Sequence, residues 1–258
     1  MNSLVLYHVQ DRVGYITLNR PEKRNALSYE LIDVLRQTFQ TALFDPGCKV
    51  VVLQANGDAF CAGADLAYLQ QLQNFSHEEN LADSRHLMEL FKLIYSFPKL
   101  VITKVNGAAL AGGCGLATVG DFCFAGSGST FGYTEVKIGF IPALVMVFLT
   151  RRISGSIVRQ LLLTGDVIPA ERALHMGLIQ EVVDPGKLEE TVHHYATHLA
   201  RTTSAQSVAT IKQMLCEIPS LSIDDGLEFA AKMNANARSE EDCKKGIAAF
   251  LNKQKLSW

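Results

Sequence analysis

Apolar and polar residues alternate with a period of two over residues 3–9 and 12–18, which predicts two strands joined by a short turn around Asp11. From Ser28 the period changes to 3.6 and holds to about Phe44, so Ser28 is read as the N-cap of a helix that "DPG" stops. The nearly all-apolar "KVVVLQA" (49–55) follows, a pattern typical of a strand buried on both faces. After the loop "NGDAFCAGADL" and a polar segment at 70–78 come a helix to about Phe97 and a second apolar strand, "KLVITKVN" (99–106). Farther on the pattern predicts a helix over about 112–119, the strand "FCFAG" and a short "STFGYTEV" segment. From Pro142 a run of helices, broken by "GLIQEVV", continues to the end. No internal repeat is visible. Strand-rich units thus precede helix-rich ones, and the expected division is a parallel-sheet core over 1–195 and a helical appendage over 196–258 whose apolar faces need a partner.

Composition narrows the class of ligand. With 258 residues, 48% hydrophobic, 19% charged and a formal net charge of −2, the chain lacks the basic excess that nucleic acid or an anionic membrane would favour, so a small molecule is the expected partner. The six cysteines (Cys48, Cys61, Cys114, Cys123, Cys216, Cys243) are widely spaced without a CxxC pair and are read as buried free thiols of a reducing compartment. The N-terminus has neither a basic region nor a long apolar run, and no segment approaches the ~18 apolar residues of a membrane span. Cytoplasm is the simplest location. His194 and His198, four apart on a predicted helix, lack the glutamate of HExxH and a third ligand, so they are read as a surface pair and no metal is expected.

The stretch "NGAALAGGCGLATVGD" (106–121) holds nine glycines and alanines in sixteen residues. Backbone without side chains serves a tight turn, close approach of a ligand, or close helix packing. Residues just past the carboxyl end of a strand, where a helix begins, offer unpaired N–H groups to ligands. "CAGADL" after 49–55 and "ALAGGCG" after 99–106 are two such places, and together they can direct two N–H groups at one oxygen. Neither GxxxxGK[ST] nor a complete GxGxxG is present, which favours an oxyanion over a phosphate chain. Spacing alone fits helix packing equally well.

The segments "LNRPEKRNALS", "GDAFCAGADL", "PKLVITKVNGAALAGGCGLATVGDFCFAG", "FGYTEVKIGFIP" and "GIAAFLNKQK" resemble, in order and along nearly the whole chain, the enoyl-CoA hydratase/isomerase (crotonase) superfamily. The resemblance implies an α/β fold with a spiral ββα core, acyl-CoA-binding over 1–195, and a C-terminal helical trimerisation region over 196–258. It implies a homotrimer or dimer of trimers acting on an acyl-CoA thioester, with coenzyme A as part of the substrate and no separate cofactor. Carried over by motif, the N–H groups of Ala64 and Gly112 form an oxyanion hole, worth about 3–4 kcal/mol per donor. Asn25, Ala26, Leu27, Ala62, Asp65 and Leu66 are implied to wall the adenine and pantetheine, with Lys23 and Arg24 toward the CoA phosphates. Phe250 and Lys253 are implied to reach them from the C-terminal helix of a neighbouring region or subunit. Asp121 reads as a structural carboxylate, and Cys114 as a small buried thiol.

The family's hydratases flank one water with two glutamates, and here "GGCGLA" puts Gly115 where the first stands while "TEVKIG" keeps the second as Glu135. One carboxylate suffices for a 1,3-proton shift, as in the family's Δ3,Δ2-enoyl-CoA isomerases. "GGCGLA" with "EVxxGFxPA" is closest in motif to methylglutaconyl-CoA hydratase-like members, whose substrate brings its own carboxylate. A CoA-binding scaffold without turnover is the remaining alternative. "GFIPALVMVFL" places Ala143, Leu144 and Met146 where glycines usually stand, which predicts a greasier pocket.

Overall fold

The computed structural model describes residues 3–258. Strands β1 (Val5–Gln10) and β2 (Val13–Leu18) pair antiparallel, with Asp11 and Arg12 at positive φ in the turn between them. Helix α1 (Tyr29–Phe44) starts where the Ser28 hydroxyl accepts the Leu31 N–H, as the cap predicts. Its buried residues, Leu31, Ile32, Leu35, Phe39 and Ala42, form one stripe, and Phe39 meets Phe97 edge-on with ring centroids 5.4 Å apart.

From here the chain winds as a spiral that lays one strand into a large sheet, one short strand into a small sheet, and then a helix. The first turn is β3 (Val50–Ala55), β4 (Ala59–Cys61), α2 (Leu66–Leu72) and α3 (His77–Tyr95). The second is β5 (Leu100–Val105), β6 (Ala108–Leu110) and α4 (Gly112–Thr118). The third is β7 (Phe122–Gly126), β8 (Thr130–Gly132), a 3-10 turn over Thr134–Ile138, then α5 (Ala143–Arg152) and α6 (Gly155–Thr164). Strand β9 (Ile168–Pro169), α7 (Ala170–His175) and β10 (Glu181–Val183) complete the two sheets. The large sheet has the order β1-β2-β3-β5-β7-β10 and the small one β4-β6-β8-β9. All pairs are parallel except β1–β2 and β8–β9. The repeat invisible in the sequence is therefore a structural one, carried by topology rather than by recurring residues. The polar segment at 70–78 forms the end of α2 and the start of α3, where Ser76 and Glu79 make a reciprocal capping box.

Both faces of the large sheet are covered at its central strands, which explains the nearly all-apolar β3. One face packs on α1, α3 and α4. The other takes α8 (Leu188–Thr202), whose Leu188, Val192, Ala196 and Ala200 meet Val13, Tyr15, Val50, Val52, Ile102 and Phe124. Helix α8 thus runs through position 195 while still on the sheet. The helices that depart from it are α9 (Ala205–Glu217), α10 (Ile223–Ser239) and α11 (Glu241–Leu251). Lys212 is the sole buried residue of α9, and α10 has none, while Ile211, Leu215, Ile223 and Leu227 are exposed. The Lys212 ammonium bonds the Asp121 carboxylate at 2.5 Å and the Lys99 carbonyl at 2.9 Å, and Asp121 also accepts the Val101 N–H. Lys212 thus ties α9 to the start of β5, with Asp121 in its expected structural role. No helix among the described residues is long and apolar enough to cross a membrane.

Candidate active site

The parallel strands β4, β6 and β8 lie side by side, and the residues that follow their carboxyl ends carry the candidate chemistry. The small-residue loops were expected directly after 49–55 and 99–106. The structure inserts a three-residue strand in each place, too short to show a period, and the loops leave from β4 and β6. They interlock closely. A Cβ at Gly63, where φ is +95°, would lie 2.9 Å from Ala111 Cβ and 3.0 Å from the Leu110 carbonyl oxygen. A Cβ at Gly113 would lie 2.2 Å from the Cys61 carbonyl oxygen. Close packing therefore claims part of the small-residue stretch.

The same packing leaves two donors over. Leu27 bridges to the first loop, donating to the Gly63 carbonyl at 2.7 Å and accepting from the Asp65 N–H at 2.9 Å, so the Ala64 N–H between them has no acceptor among the described residues. Ala111 is held at φ 50°, ψ −128°, a conformation that costs a non-glycine residue about 1–3 kcal/mol. Its own N–H bonds the Gly132 carbonyl at 2.7 Å, and its carbonyl accepts from Cys114 and Gly115, which starts α4. The Gly112 N–H, first in that helix, likewise has no acceptor among the described residues.

Glu135 follows β8 on the 3-10 turn and is buried, with Oε2 lacking a hydrogen-bond partner among the described residues. Desolvation raises its pKa above the ordinary carboxylate range, against a smaller opposing pull from its own backbone N–H. It lies near α4: the Cys114 thiol, pushed up to about 12 mainly by burial, also feels the Glu135 charge. Cys114 is thus a buried thiol with little thiolate, as expected. Val136, Ile138, Phe140 and Ile141 form an exposed apolar collar around this turn.

Most of the other expected residues surround the first loop. Asn25 is fully buried at φ 53°, accepting from the Arg20 N–H and donating to the Asn56 and Ala59 carbonyls, so it shapes the 24–27 turn. The Asp65 carboxylate caps α2 at Ala67 and Tyr68 and pairs with Arg20 at 2.7 Å. Ala26 and Leu27 are buried and Ala62 is half-buried, while Lys23, Arg24 and Leu66 are exposed at the rim. Phe250 and Lys253 stand apart, exposed at the end of α11, which packs on α9 and α10. His194 and His198 lie exposed on α8, and no group of three or more metal-ligating side chains occurs among the described residues.

Sequence reasoning passed over Arg20, Phe91 and Val145. Of the residues expected to fill the pocket, Ala143 and Met146 are exposed and Leu144 is half-buried; the buried one is Val145. A Cβ at Gly115 would lie 2.1 Å from Val145 Cγ1 and 3.3 Å from Phe91 Cε1. No periodicity signals such a contact between α4 and α5.

The abutting loops thus carry two peptide N–H groups without an acceptor among the described residues, and the turn after β8 carries a buried carboxyl: donors of the kind that bind a carbonyl oxygen, and a group of the kind that moves protons. The chain belongs to the enoyl-CoA hydratase/isomerase family, whose model matches residues 8–258. A Thermus thermophilus relative, provisionally named an enoyl-CoA hydratase, is 40% identical over 242 residues, 94% of this chain and 95% of its own. The trans-2-decenoyl-[acyl-carrier-protein] isomerase of Streptococcus mutans is 27% identical over 253 residues, 97% of this chain and 96% of its own. The crystal structure of an enoyl-CoA hydratase from Shewanella pealeana superposes with a TM-score of 0.93 at 29% identity, covering 99% of this chain and 96% of that one.

Proposed function

We propose that the protein acts on an enoyl-CoA thioester by holding its enolate oxygen on the Ala64 and Gly112 N–H groups while Glu135 alone moves the proton. The observation that carries this reading is the buried Glu135 carboxyl, whose Oε2 has no hydrogen-bond partner among the described residues, together with Gly115, which offers no second carboxylate. In the first reaction open to one base, Glu135 takes a proton from C2 of a 3-enoyl thioester and returns it at C4, and the double bond moves into conjugation. Hydration is the second reading, with 3-methylglutaconyl-CoA, whose own carboxylate replaces the missing group; the "GGCGLA" and "EVxxGFxPA" segments favour it.

Lys23 and Arg24 suit the CoA phosphates, and the turn built on Asn25, Ala26 and Leu27, with Ala62, Asp65 and Leu66, suits the adenine and pantetheine. The exposed apolar faces of α9 and α10 fit a homotrimer or dimer of trimers, in which Phe250 and Lys253 reach a neighbouring subunit's site. On this reading residues 1–195 bind the acyl-CoA and 196–258 trimerise, and the six free thiols fit a reducing compartment such as the cytoplasm.

The test is incubation with crotonyl-CoA, 3-methylglutaconyl-CoA and 3-hexenoyl-CoA, read by mass and ultraviolet absorbance. New conjugated-enoyl absorbance at constant mass identifies the proton shift, and a gain of one water identifies hydration. Binding without either change, or full turnover by Glu135→Gln, refutes the proposal.

A further inference from the structure

Helix α4 presents four residues near the candidate oxyanion site, and three of them are spoken for. Gly112 has no side chain, Gly113 is pressed against the Cys61 carbonyl, and Cys114 is buried against Tyr133. Gly115 is the fourth, one turn beyond Gly112 on the same helix face. Any side chain there would meet Val145 at two atoms, Cγ1 at 2.1 Å and Cβ at 2.9 Å, and Phe91 behind them. Val145 is buried in α5, and as a β-branched helical residue it has essentially one side-chain rotamer, so its methyl cannot swing aside and α5 itself would have to move. The missing side chain at 115 is therefore matched by a neighbour that fills its room with hydrocarbon.

Resting on the single-base reading above, we infer that Val145 fixes the reaction type. It leaves the bound acyl group between Glu135 and an apolar wall, where a proton can be moved but a water cannot be held. The C2–H electron pair then flows into the dienolate, whose oxygen carries the charge, and the same proton returns to C4 as the C3=C4 bond becomes C2=C3. No water enters and none leaves. Addition of water needs a group that holds it and delivers its hydroxide equivalent to C3, and a side chain at 115 becomes possible only when Val145 is cut back.

The experiment compares the wild type with Val145→Gly, Gly115→Glu, Gly115→Ala, Val145→Ala and the pairs Gly115→Glu/Val145→Gly and Gly115→Ala/Val145→Ala. Two quantities are read: melting temperature, and the ratio of water-added to double-bond-shifted product from matched 2- and 3-hexenoyl-CoA. The wild type is expected to shift the bond without adding water. The Glu/Gly pair is expected to raise the water-added ratio about 100-fold, the scale of one acid–base group. Gly115→Ala is expected to lower the melting temperature less in Val145→Ala, which keeps only the 2.9 Å Cβ contact, than in the wild type, where the 2.1 Å Cγ1 contact is added. The melting comparison stands apart from turnover, so a poorly folded Gly115→Glu does not blunt the test. Equal melting losses from Gly115→Ala in both backgrounds, or wild-type hydration as fast as the shift, overturn the inference. An unchanged ratio in a folded Glu/Gly pair does the same. Absence of any Glu135-dependent turnover overturns the single-base reading beneath it.

Discussion

Gly113→Ala tests whether the two donor-bearing loops owe their spacing to bare backbone. The added methyl would stand 2.2 Å from the Cys61 carbonyl oxygen and 2.8 Å from its carbon, both main-chain atoms that cannot rotate away. Reaching an ordinary contact near 3.4 Å requires the end of β4 and the start of α4 to separate by about 1 Å. Overpacking against backbone belongs at the top of the usual range, about 3 kcal/mol, or roughly 6–12 °C in melting temperature for a chain of this size. The same separation pulls the Ala64 and Gly112 N–H groups apart, and a 1 Å misplacement costs about 100-fold in turnover. Its neighbour is the control: a methyl at Gly112 meets Leu27 Cδ1, the tip of a side chain, at 3.3 Å. Gly112→Ala should therefore lose activity by crowding the ligand while keeping its melting temperature within a few degrees. Calorimetry and kcat/KM on the accepted substrate separate the two. If Gly113→Ala melts and turns over like the wild type, the packing account of this stretch is wrong.

Glu135→Gln should lower kcat by about 100- to 10,000-fold. Because burial raises the Glu135 pKa, its contribution to stability is fullest below the ordinary carboxylate pKa and is lost as pH rises through the raised value. The Gln variant should thus melt higher than the wild type at about pH 8 and not at about pH 4; a pH-independent difference contradicts this, and wild-type kcat should climb through the same raised pKa. Lys212→Met strands the Asp121 carboxylate, which is 21% exposed, so a loss near the lower end of ~3–5 kcal/mol is expected in denaturant unfolding. Adding Asp121→Leu should recover much of it. Cys61, Cys114 and Cys123 are fully buried with thiols pushed up to about 12, so a thiol reagent on the native protein should label Cys216 and Cys243 first and reach those three only on unfolding.

The large sheet was legible because all its strands but the three-residue β10 are five or six residues long and sit beside strong turn and cap signals: Ser28, "DPG", the apolar run at 49–55. The small sheet was not, since Ala59–Cys61, Ala108–Leu110 and Thr130–Gly132 are too short for any period, and their pairing depends on strands far away in sequence. The site splits the same way. Ala64, Gly112 and Glu135 stand in motifs that survive as words in the chain. Val145 and Phe91 act through a contact between helices that no local pattern encodes. Arg20, the partner of Asp65, lies 45 positions away from it.

Ala64, Gly112 and Glu135 are separated by 48 and 23 positions, yet each follows one of three neighbouring strands. That geometry sets a timetable. As the chain emerges from its N-terminus, β2, β3 and β5 can pair before β8 has been made, so much of the hydrophobic interior can close while the site does not yet exist. A nascent fragment ending near residue 128 would carry both loops with free N–H groups but neither Glu135 nor the strand whose Gly132 carbonyl holds Ala111 in place. The candidate site is thus a late product of the winding, and on the proposed function the capacity to bind a CoA thioester should lag behind the gain of secondary structure in refolding experiments.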